Sequence, residues 1–373
     1  MTRRIKKLFN AHSVNDFREN WASGLTVGLV NIPLSLALAI ACGGTPIQGV
    51  ITAVWAGIFS AFFGGSRFNI VGPTGALAGL LMGYASTHGF AALPYLAIFV
   101  GLVIMLFYFF KWYKYIIYIP VSVIHGFTLG VAFILILGQL FFATGIDSSA
   151  VTGGILEKTV FTFSNLGQLD MVSFLIFLVA FGGLIFFKKA LPKLPGAIII
   201  SAIGIVFGYL GYNSYLPFEI RSLAHLYGEF TGTLAESIIP TFSFSYFDRA
   251  FLNTALAATV VAILETLISA RIANDMTGVR FDRKKEIVGL SLANIFSGLA
   301  GGIPATAALA RTSLNVRSGA KHFASATVGS AVVAVIAVFL FGYFKFLPLA
   351  VIAAILTNVA LNMVEWKHMG EMA

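Results

Sequence analysis

Two charged side chains stand inside long apolar runs, and their surroundings point to ion chemistry. Arg311 lies in Ala305-Thr-Ala-Ala-Leu-Ala-Arg311-Thr-Ser313, and Glu265 in Val260-Val-Ala-Ile-Leu-Glu265-Thr-Leu-Ile-Ser269. A charge in apolar surroundings needs compensation. For Arg311 a bound anion would serve, because a guanidinium is a fixed charge with fork-shaped donors. A carboxylate or a carbonyl partner would also serve. For Glu265 three uses are open. With Ser269 one helical turn on and on the same face, it could hold a hard cation such as Na⁺. Alone it could carry a proton, or it could statically neutralise Arg311.

The second signal is a pair of broken runs. One reads Phe68-Asn-Ile-Val-Gly72-Pro73-Thr74-Gly75-Ala76, the other Gly301-Gly302-Ile-Pro304-Ala-Thr306-Ala307-Ala308-Leu309. Each opens with Gly and Pro, poorly suited to helix, and continues in small helix-compatible residues. Proline disfavours helix in the residue before it but suits a first helical turn. Each run is therefore expected to be extended backbone followed by a half-helix. Facing half-helix N-termini offer free N–H groups and positive dipole ends to one volume. The candidate anion ligands are Thr74, Gly75, Ala76, Thr306, Ala307, Ala308, Leu309 and Arg311. The plainer alternative is two Pro-kinked packing helices. His125, in another apolar run, reads as a packing histidine.

These groups need a scaffold, and composition names its class. Of 373 residues, 58% are hydrophobic and 10% charged, with mean hydropathy +0.91. Soluble domains carry about 25% charged residues, and disorder needs low hydrophobicity. The chain is expected to be an all-α polytopic membrane protein embedded in the lipid bilayer. Twelve segments are predicted, near 22–42, 46–64, 68–88, 92–110, 115–143, 171–188, 194–212, 250–272, 285–300, 304–319, 322–344 and 346–363. The net charge of +9 does not indicate nucleic acid, since the basic residues sit in short loops. The single cysteine, Cys42, excludes an internal disulfide and a multi-cysteine metal site. No phosphate-binding loop, zincin or nucleophile-elbow motif occurs, so no enzyme activity and no cofactor beyond a coupling Na⁺ is expected.

Lys and Arg set the orientation. With the N-terminus in the cytoplasm, only Lys158, Arg221, Arg249 and Lys345 fall outside, and Arg311 lies within a span. The other basic residues, from Arg3 to Lys367, are then cytoplasmic. The polar stretches 144–170 and 213–249 become solvated extracytoplasmic loops, carrying Asp147, Glu157, Asp170, Glu219, Glu229 and Glu236.

The chain also repeats itself. Ala56-Gly-Ile-Phe-Ser-Ala-Phe-Phe-Gly-Gly65 matches Ala293-Asn-Ile-Phe-Ser-Gly-Leu-Ala-Gly-Gly302 at six of ten positions. Pro120-x-x-Val123-Ile124 recurs as Pro348-x-x-Val351-Ile352, and Asp16 has a counterpart in Asp248. The repeat unit is seven segments, an odd number, so the second copy enters from the opposite side, as in inverted-repeat transporters. Counterparts of segments 6 and 7 are missing from the second copy. Fourteen segments are therefore expected in a full chain, with Ala373 a truncation point.

These motifs resemble the SulP family of inorganic anion transporters, related to the animal anion exchangers and prestin. The resemblance rests on Gly24-Leu-Thr-Val-Gly28 with Ile32-Pro33, Val71-Gly-Pro-Thr-Gly75, Asn294 with Gly301-Gly-Ile-Pro304, Ala310-Arg-Thr-Ser-Leu-Asn315 with Ser318-Gly319, and Asn362-Met-Val-Glu-Trp366. It implies the fourteen-segment inverted-repeat fold shared with uracil permeases. Core-domain segments would occupy 22–110 and 250–344, and gate-domain segments 111–212 and 345–373. Residues 1–21 would be a cytoplasmic lead, and 213–249 an extracytoplasmic linker. It also implies elevator-like transport, an anion between segments 3 and 10 facing segments 1 and 8, and Na⁺ at a segment 8 acid and hydroxyl, the places of Glu265 and Ser269. Prestin-like members carry an arginine where Arg311 stands. The sequence departs from the family in Leu34, where many members have Gln, and in Ala307 for a usual Gly. Segments 13 and 14 and the STAS domain that commonly follows would lie beyond Ala373. The expectation is a secondary transporter of bicarbonate or sulfate, coupled to Na⁺ or H⁺. It would sit in the cell membrane, the bacterial inner membrane, and be a homodimer at full length. A dicarboxylate or nucleobase permease on the same fold, or an uncoupled anion channel or exchanger, is the alternative.

Overall fold

A computed structural model describes residues 11–118, 121–146, 155–191, 194–228 and 246–363. Asp147, Glu229, Glu236, Lys193, Pro120, the basic residues before Ala11 and everything from Val364 onward, including Trp366 and Lys367, lie outside the described residues, as does the side chain of His125.

The chain divides into two compact units, Met1–Ile119 with Thr233–Ala337, and Pro120–Gly232 with Val338–Ala373. The first unit contains α1 (Ala11–Ala41), α2 (Pro46–Phe63), β1 (Val71–Gly72), α3 (Ala78–His88) and α4 (Leu93–Phe109) from the first half. From the second half come α10 (Arg249–Thr277), α11 (Arg283–Leu299), β2 (Thr306–Ala307), α12 (Leu309–Arg317) and α13 (Ala324–Leu340). The second unit contains α5 (Val121–Thr144), α6 (Ile155–Ser164), α7 (Met171–Ala190), α8 (Gly196–Tyr212), α9 (Leu223–Tyr227) and α14 (Leu349–Met363).

Local sequence explains the helix ends. Thr45 and Gln48 form a reciprocal capping box with Pro46 in the first turn of α2. Asp170, Asp248 and Asp282 N-cap α7, α10 and α11 through their carboxylates. Gly278 ends α10 in the left-handed conformation, at φ 71°.

Six helical spans among the described residues are long and apolar enough to cross a membrane, from Asn15–Ala41 to Ala324–Phe346, and three shorter apolar helices accompany them. Each of the twelve expected segments contains a helix. Four of them depart from a plain span, which needs about 20 residues. The helices α3 and α12 have only 11 and 9 residues, because extended backbone occupies the rest of each segment. The third, α11, opens with the charged run Arg283-Lys-Lys-Glu286. The single segment expected at 115–143 is instead a 3₁₀ stretch, Trp112–Tyr118, and then α5. Large apolar side chains are exposed along several helices, for example Leu102, Leu106 and Phe109 on α4 and Leu175, Val179 and Phe186 on α7. A bilayer is the solvent such a surface requires.

In the first unit α11 packs against α4 and α2, and α1 against α2. Phe59 and Phe296 hold matching places in the repeated ten-residue motif, and their rings stack with centroids 3.7 Å apart. Gly24 and Gly28 of α1 allow close approach to α13. A Cβ on Gly24 would lie 2.6 Å from the Val328 side chain, and one on Gly28 2.7 Å from the Gly329 carbonyl. The short β1 and β2, one from each half, pair antiparallel with Val71 opposite Ala307 and Gly72 opposite Thr306.

In the second unit α14 packs on α5 and α7. The two polar stretches are not plain solvated loops. The first contains α6, with Glu157 in its first turn, and the second contains α9. Arg221 donates to the Gly145 carbonyl at 2.8 Å, and Ser222 bridges to Pro348. Residues 213–228 thus begin as part of this unit rather than as a free linker, and Glu219 pairs with His225 at 3.1 Å.

Candidate functional site

The half-helices α3 and α12 both start beside the β1–β2 pair. Pro73 and Pro304 each keep the backbone extended before a helical start, and a 3₁₀ turn, Gly75–Leu77, leads into α3. Extended backbone at membrane depth must be satisfied by protein, and here it is. Asn294 clamps Ala305 in both directions: the Ala305 N–H donates to Oδ1 at 2.8 Å, and Nδ2 donates to the Ala305 carbonyl at 3.0 Å. The Ile303 N–H donates to Thr52 Oγ1 at 2.8 Å, and the Ala307 N–H to Thr266 Oγ1 at 3.1 Å. Across the pair, the Ala308 N–H donates to the Ile70 carbonyl and the Ile70 N–H to Thr312 Oγ1.

This corrects part of the expected ligand set. The N–H groups of Ala307 and Ala308 are used within the fold, and the Thr306 hydroxyl is shared between Thr266 Oγ1 and the Ala262 carbonyl. None of these three is free for an anion. The donors left in the first turn of α12 are the N–H groups of Leu309, Ala310 and Arg311, which have no acceptor within their own helix. Ala308 and Leu309 are partly exposed and Ala310 is exposed, whereas Thr74, Gly75 and Ala76 are buried.

Arg311 is 2% exposed. Its Nη1 donates to Asn31 Oδ1 at 2.5 Å, and its Nη2 to the Pro73 carbonyl. Its Nε is buried without a partner. Gly72 makes room for the guanidinium, since a Cβ there would lie 2.9 Å from Nη1. Arg311 therefore ties α12 to α1 and to the backbone after β1.

Glu265 is half-buried and accepts from Thr74 Oγ1 at 3.2 Å. It lies within electrostatic reach of Arg311, but no ion pair joins Arg311 to a carboxylate among the described residues. The structure joins Glu265 to Thr74 rather than to Ser269. The Ser269 hydroxyl is fully buried, donates to Asn69 Oδ1 at 3.1 Å and shares a hydrogen bond with the Thr312 hydroxyl at 2.8 Å. It is a structural link between α10, the backbone before β1, and α12, which departs from the expected cation-ligand role.

Four neighbours of these residues were missed from sequence. Asn31 holds Arg311, Thr312 holds Ile70, and Asn69 joins Ser269 to Glu286. Glu286 is 3% exposed and accepts from the Gly65 and Ser66 N–H groups at 2.7 and 2.6 Å and from Asn69 Nδ2 at 2.6 Å. Asn31 did carry a signal, as a lone amide deep in the apolar run of α1. Glu286 did not, because it follows Arg283-Lys-Lys and reads as a solvated charge.

Comparison with known proteins agrees with this architecture. The profile of the Sulfate permease family matches residues 17–373. The putative sulfate transporter YvdB of Bacillus subtilis (strain 168) is 32% identical over 369 residues, covering 99% of this chain and 69% of that protein. The bicarbonate transporter BicA of Picosynechococcus sp. is 27% identical over 378 residues, covering 97% of this chain and 64% of that protein. The chain thus spans about two thirds of these relatives' length. The transmembrane domain of a cyanobacterium bicarbonate transporter BicA superposes with a TM-score of 0.84 at 24% identity, covering 95% of this chain and 90% of that one. The fold is that of the inverted-repeat transporters.

Proposed function

This chain belongs to the sulfate permease family, a family of membrane transporters rather than enzymes, and we propose that it is a secondary active transporter of small inorganic anions, bicarbonate or sulfate. The observation that carries this reading is the buried Arg311, held by neutral acceptors with its Nε unused, beside the first-turn N–H groups of α12. A fixed cation without an ion-pair partner is a site for an anion. Backbone donors at a helix start add dipole and N–H groups without selecting one anion.

Coupling follows from charge. With Glu265 ionised, the two charges of the site cancel. A proton or Na⁺ at Glu265 leaves the Arg311 charge for the anion, and by linkage the anion favours the cation equally. This predicts symport. Alternating access would be elevator-like, with the first unit carrying the site. The protein would sit multi-pass in the cell membrane with its N-terminus in the cytoplasm, and as a homodimer. Glu265 within reach of Arg311 also favours a second reading, an uncoupled exchanger in which the acid only balances the arginine.

Uptake into proteoliposomes tests both. Sulfate or bicarbonate uptake driven by an inward Na⁺ or H⁺ gradient is the expected result. Gradient-independent exchange would select the second reading. Uptake of succinate or uracil with no response to inorganic anions would overturn both readings.

A further inference from the structure

The side chain that holds Arg311 has a donor of its own to spare. Asn31 is 3% exposed on α1, one residue before Ile32-Pro33. Its Oδ1 accepts from Arg311 Nη1 at 2.5 Å and from Ser35 Oγ at 3.0 Å. Ser35, one turn further along α1, is fully buried and fixes the amide from behind. With its oxygen doubly used, the amide must present its Nδ2 on the other side, and that nitrogen donates to no group among the described residues. Two adjoining side chains, Arg311 through Nε and Asn31 through Nδ2, thus keep N–H groups that no protein acceptor takes. A buried donor such as Arg311 Nε is rarely left this way without a ligand to receive it.

The type of residue matters as much as its place. An amide oxygen orients a guanidinium but leaves its charge undischarged. A carboxylate in the same position would orient it equally well and cancel the charge. Leu34, on the next turn of α1, offers no polar group, so Asn31 and Ser35 supply the polar face of this helix toward Arg311.

We propose that Asn31 is a positioning and specificity-determining residue of the anion site: its oxygen fixes the Arg311 guanidinium, its Nδ2 donates to the bound anion, and its neutrality keeps the site cationic. Ser35 locks the amide in that orientation. This inference rests on the anion-transporter reading and deepens it.

Asn31→Asp is the discriminating variant, because it keeps shape and the acceptor to Arg311 while removing the donor and the net charge. The measurement is sulfate-dependent protection against thermal unfolding in detergent, together with the KM and Vmax of sulfate uptake. Sulfate is the probe because it stays a dianion from neutral to mildly acidic pH. Asn31→Asp is expected to keep or raise the sulfate-free melting temperature and to weaken apparent sulfate affinity by roughly 100-fold, the scale of lost hydrogen bonds to a charged group. Acidification should restore affinity relative to wild type as the new carboxyl protonates. Glu265 and Arg311, the other charged groups of the site, are common to both proteins and cancel in that ratio. Asn31→Ala should weaken affinity by about 10-fold at all pH values, and Ser35→Ala by less, both through KM.

Wild-type affinity in Asn31→Asp would overturn the inference. So would a loss that acid does not reverse and that comes with a lowered melting temperature, which would mark Asn31 as structural. If wild type itself gains no protection from sulfate or bicarbonate, the anion-transporter reading fails first and the inference with it. Protection of wild type and Asn31→Asp alike fails the inference alone.

Discussion

The two broken segments share a plan and divide the work unequally. Aligning Thr74-Gly-Ala-Leu with Thr306-Ala-Ala-Leu sets Gly79 opposite Arg311, and the same offset sets Pro33 opposite Glu265. Both charges of the site therefore come from the second repeat. The first repeat supplies neutral groups to meet them: the Asn31 amide and the Pro73 carbonyl for Arg311, and the Thr74 hydroxyl, beside Thr306 of the second repeat, for Glu265. The mounts differ in kind too. In the stretch 303–308 one side chain, Asn294, holds both the N–H and the carbonyl of Ala305, with Thr52, Thr266 and Ile70 beside it, while the backbone before β1 is held group by group, by Thr312, Asn315 and Ser66. An inverted repeat gives two equivalent helix starts. Once one copy acquires the charge, the other is free to become the complementary dipole surface.

That contrast can be broken at its mounts. Asn294→Leu orphans both the N–H and the carbonyl of Ala305, each worth about 1–3 kcal/mol when buried. Thr312→Val orphans one backbone donor, that of Ile70, and should cost about half as much. Melting temperatures in detergent measure the difference, and equal losses would show that the two stretches are equally supported.

Removing the charge comes next. Arg311→Ala should raise the KM for anion uptake by roughly 10- to 100-fold, the value of hydrogen bonds to a charged group. Gly79→Arg, which moves a cation to the first repeat, should not restore it. Uptake kinetics on the single and double variants measure both. A rescue would mean that either repeat can host the charge.

Glu265→Gln sharpens the division between the two charged residues. It should hold anion affinity at the value that wild type reaches only with saturating cation, and abolish the dependence of uptake on the Na⁺ or H⁺ gradient. Gradient-driven uptake that persists in this variant would take coupling away from Glu265.

The smallest effect is expected at the helix that carries Glu265. Asp248 caps α10, accepting from the Phe251 N–H at 2.7 Å, and pairs with His88 at the end of α3 at 3.2 Å. The Phe251 N–H first, then His88, hold its carboxyl below the usual value. A lowered folded pKa gives stability that is complete above about pH 4 and is lost as pH falls through the folded value. Asp248→Asn should flatten this acid limb of melting temperature against pH and change little at neutral pH. An unchanged limb would assign acid sensitivity to other groups.

Much of the architecture was legible because membrane helices announce themselves by length and apolarity. Gly72-Pro73 and Gly301-Gly-Ile-Pro304 also marked both breaks, since these residues resist helix wherever they sit. The inverted repeat could be read from Phe59 and Phe296 and their neighbours. What stayed hidden depends on partners distant in the chain. Two-residue strands carry no periodic pattern, so the pairing of Val71 with Ala307 was invisible. Ala307 and Ala308 sit at a helix start and looked like free donors, but Thr266 and Ile70 take their N–H groups. Helical spacing placed Ser269 with Glu265, yet a hydroxyl bonds whichever neighbour its helix face meets, and here Asn69 and Thr312 are nearer. Glu286 shows the same limit for charge: a run of basic neighbours suggests solvent, while the backbone of Gly65 and Ser66 draws the carboxylate inward.

The central claim is that an anion sits between the starts of the two half-helices, on the Arg311 side. Diffraction from the protein with selenate, a sulfate analogue with a strong anomalous signal, tests it most directly. The account predicts one anomalous peak within hydrogen-bonding distance of Arg311 Nε and the first-turn N–H groups of α12, absent from Arg311→Ala. A saturated selenate peak elsewhere in the first unit, with this position empty, would contradict it.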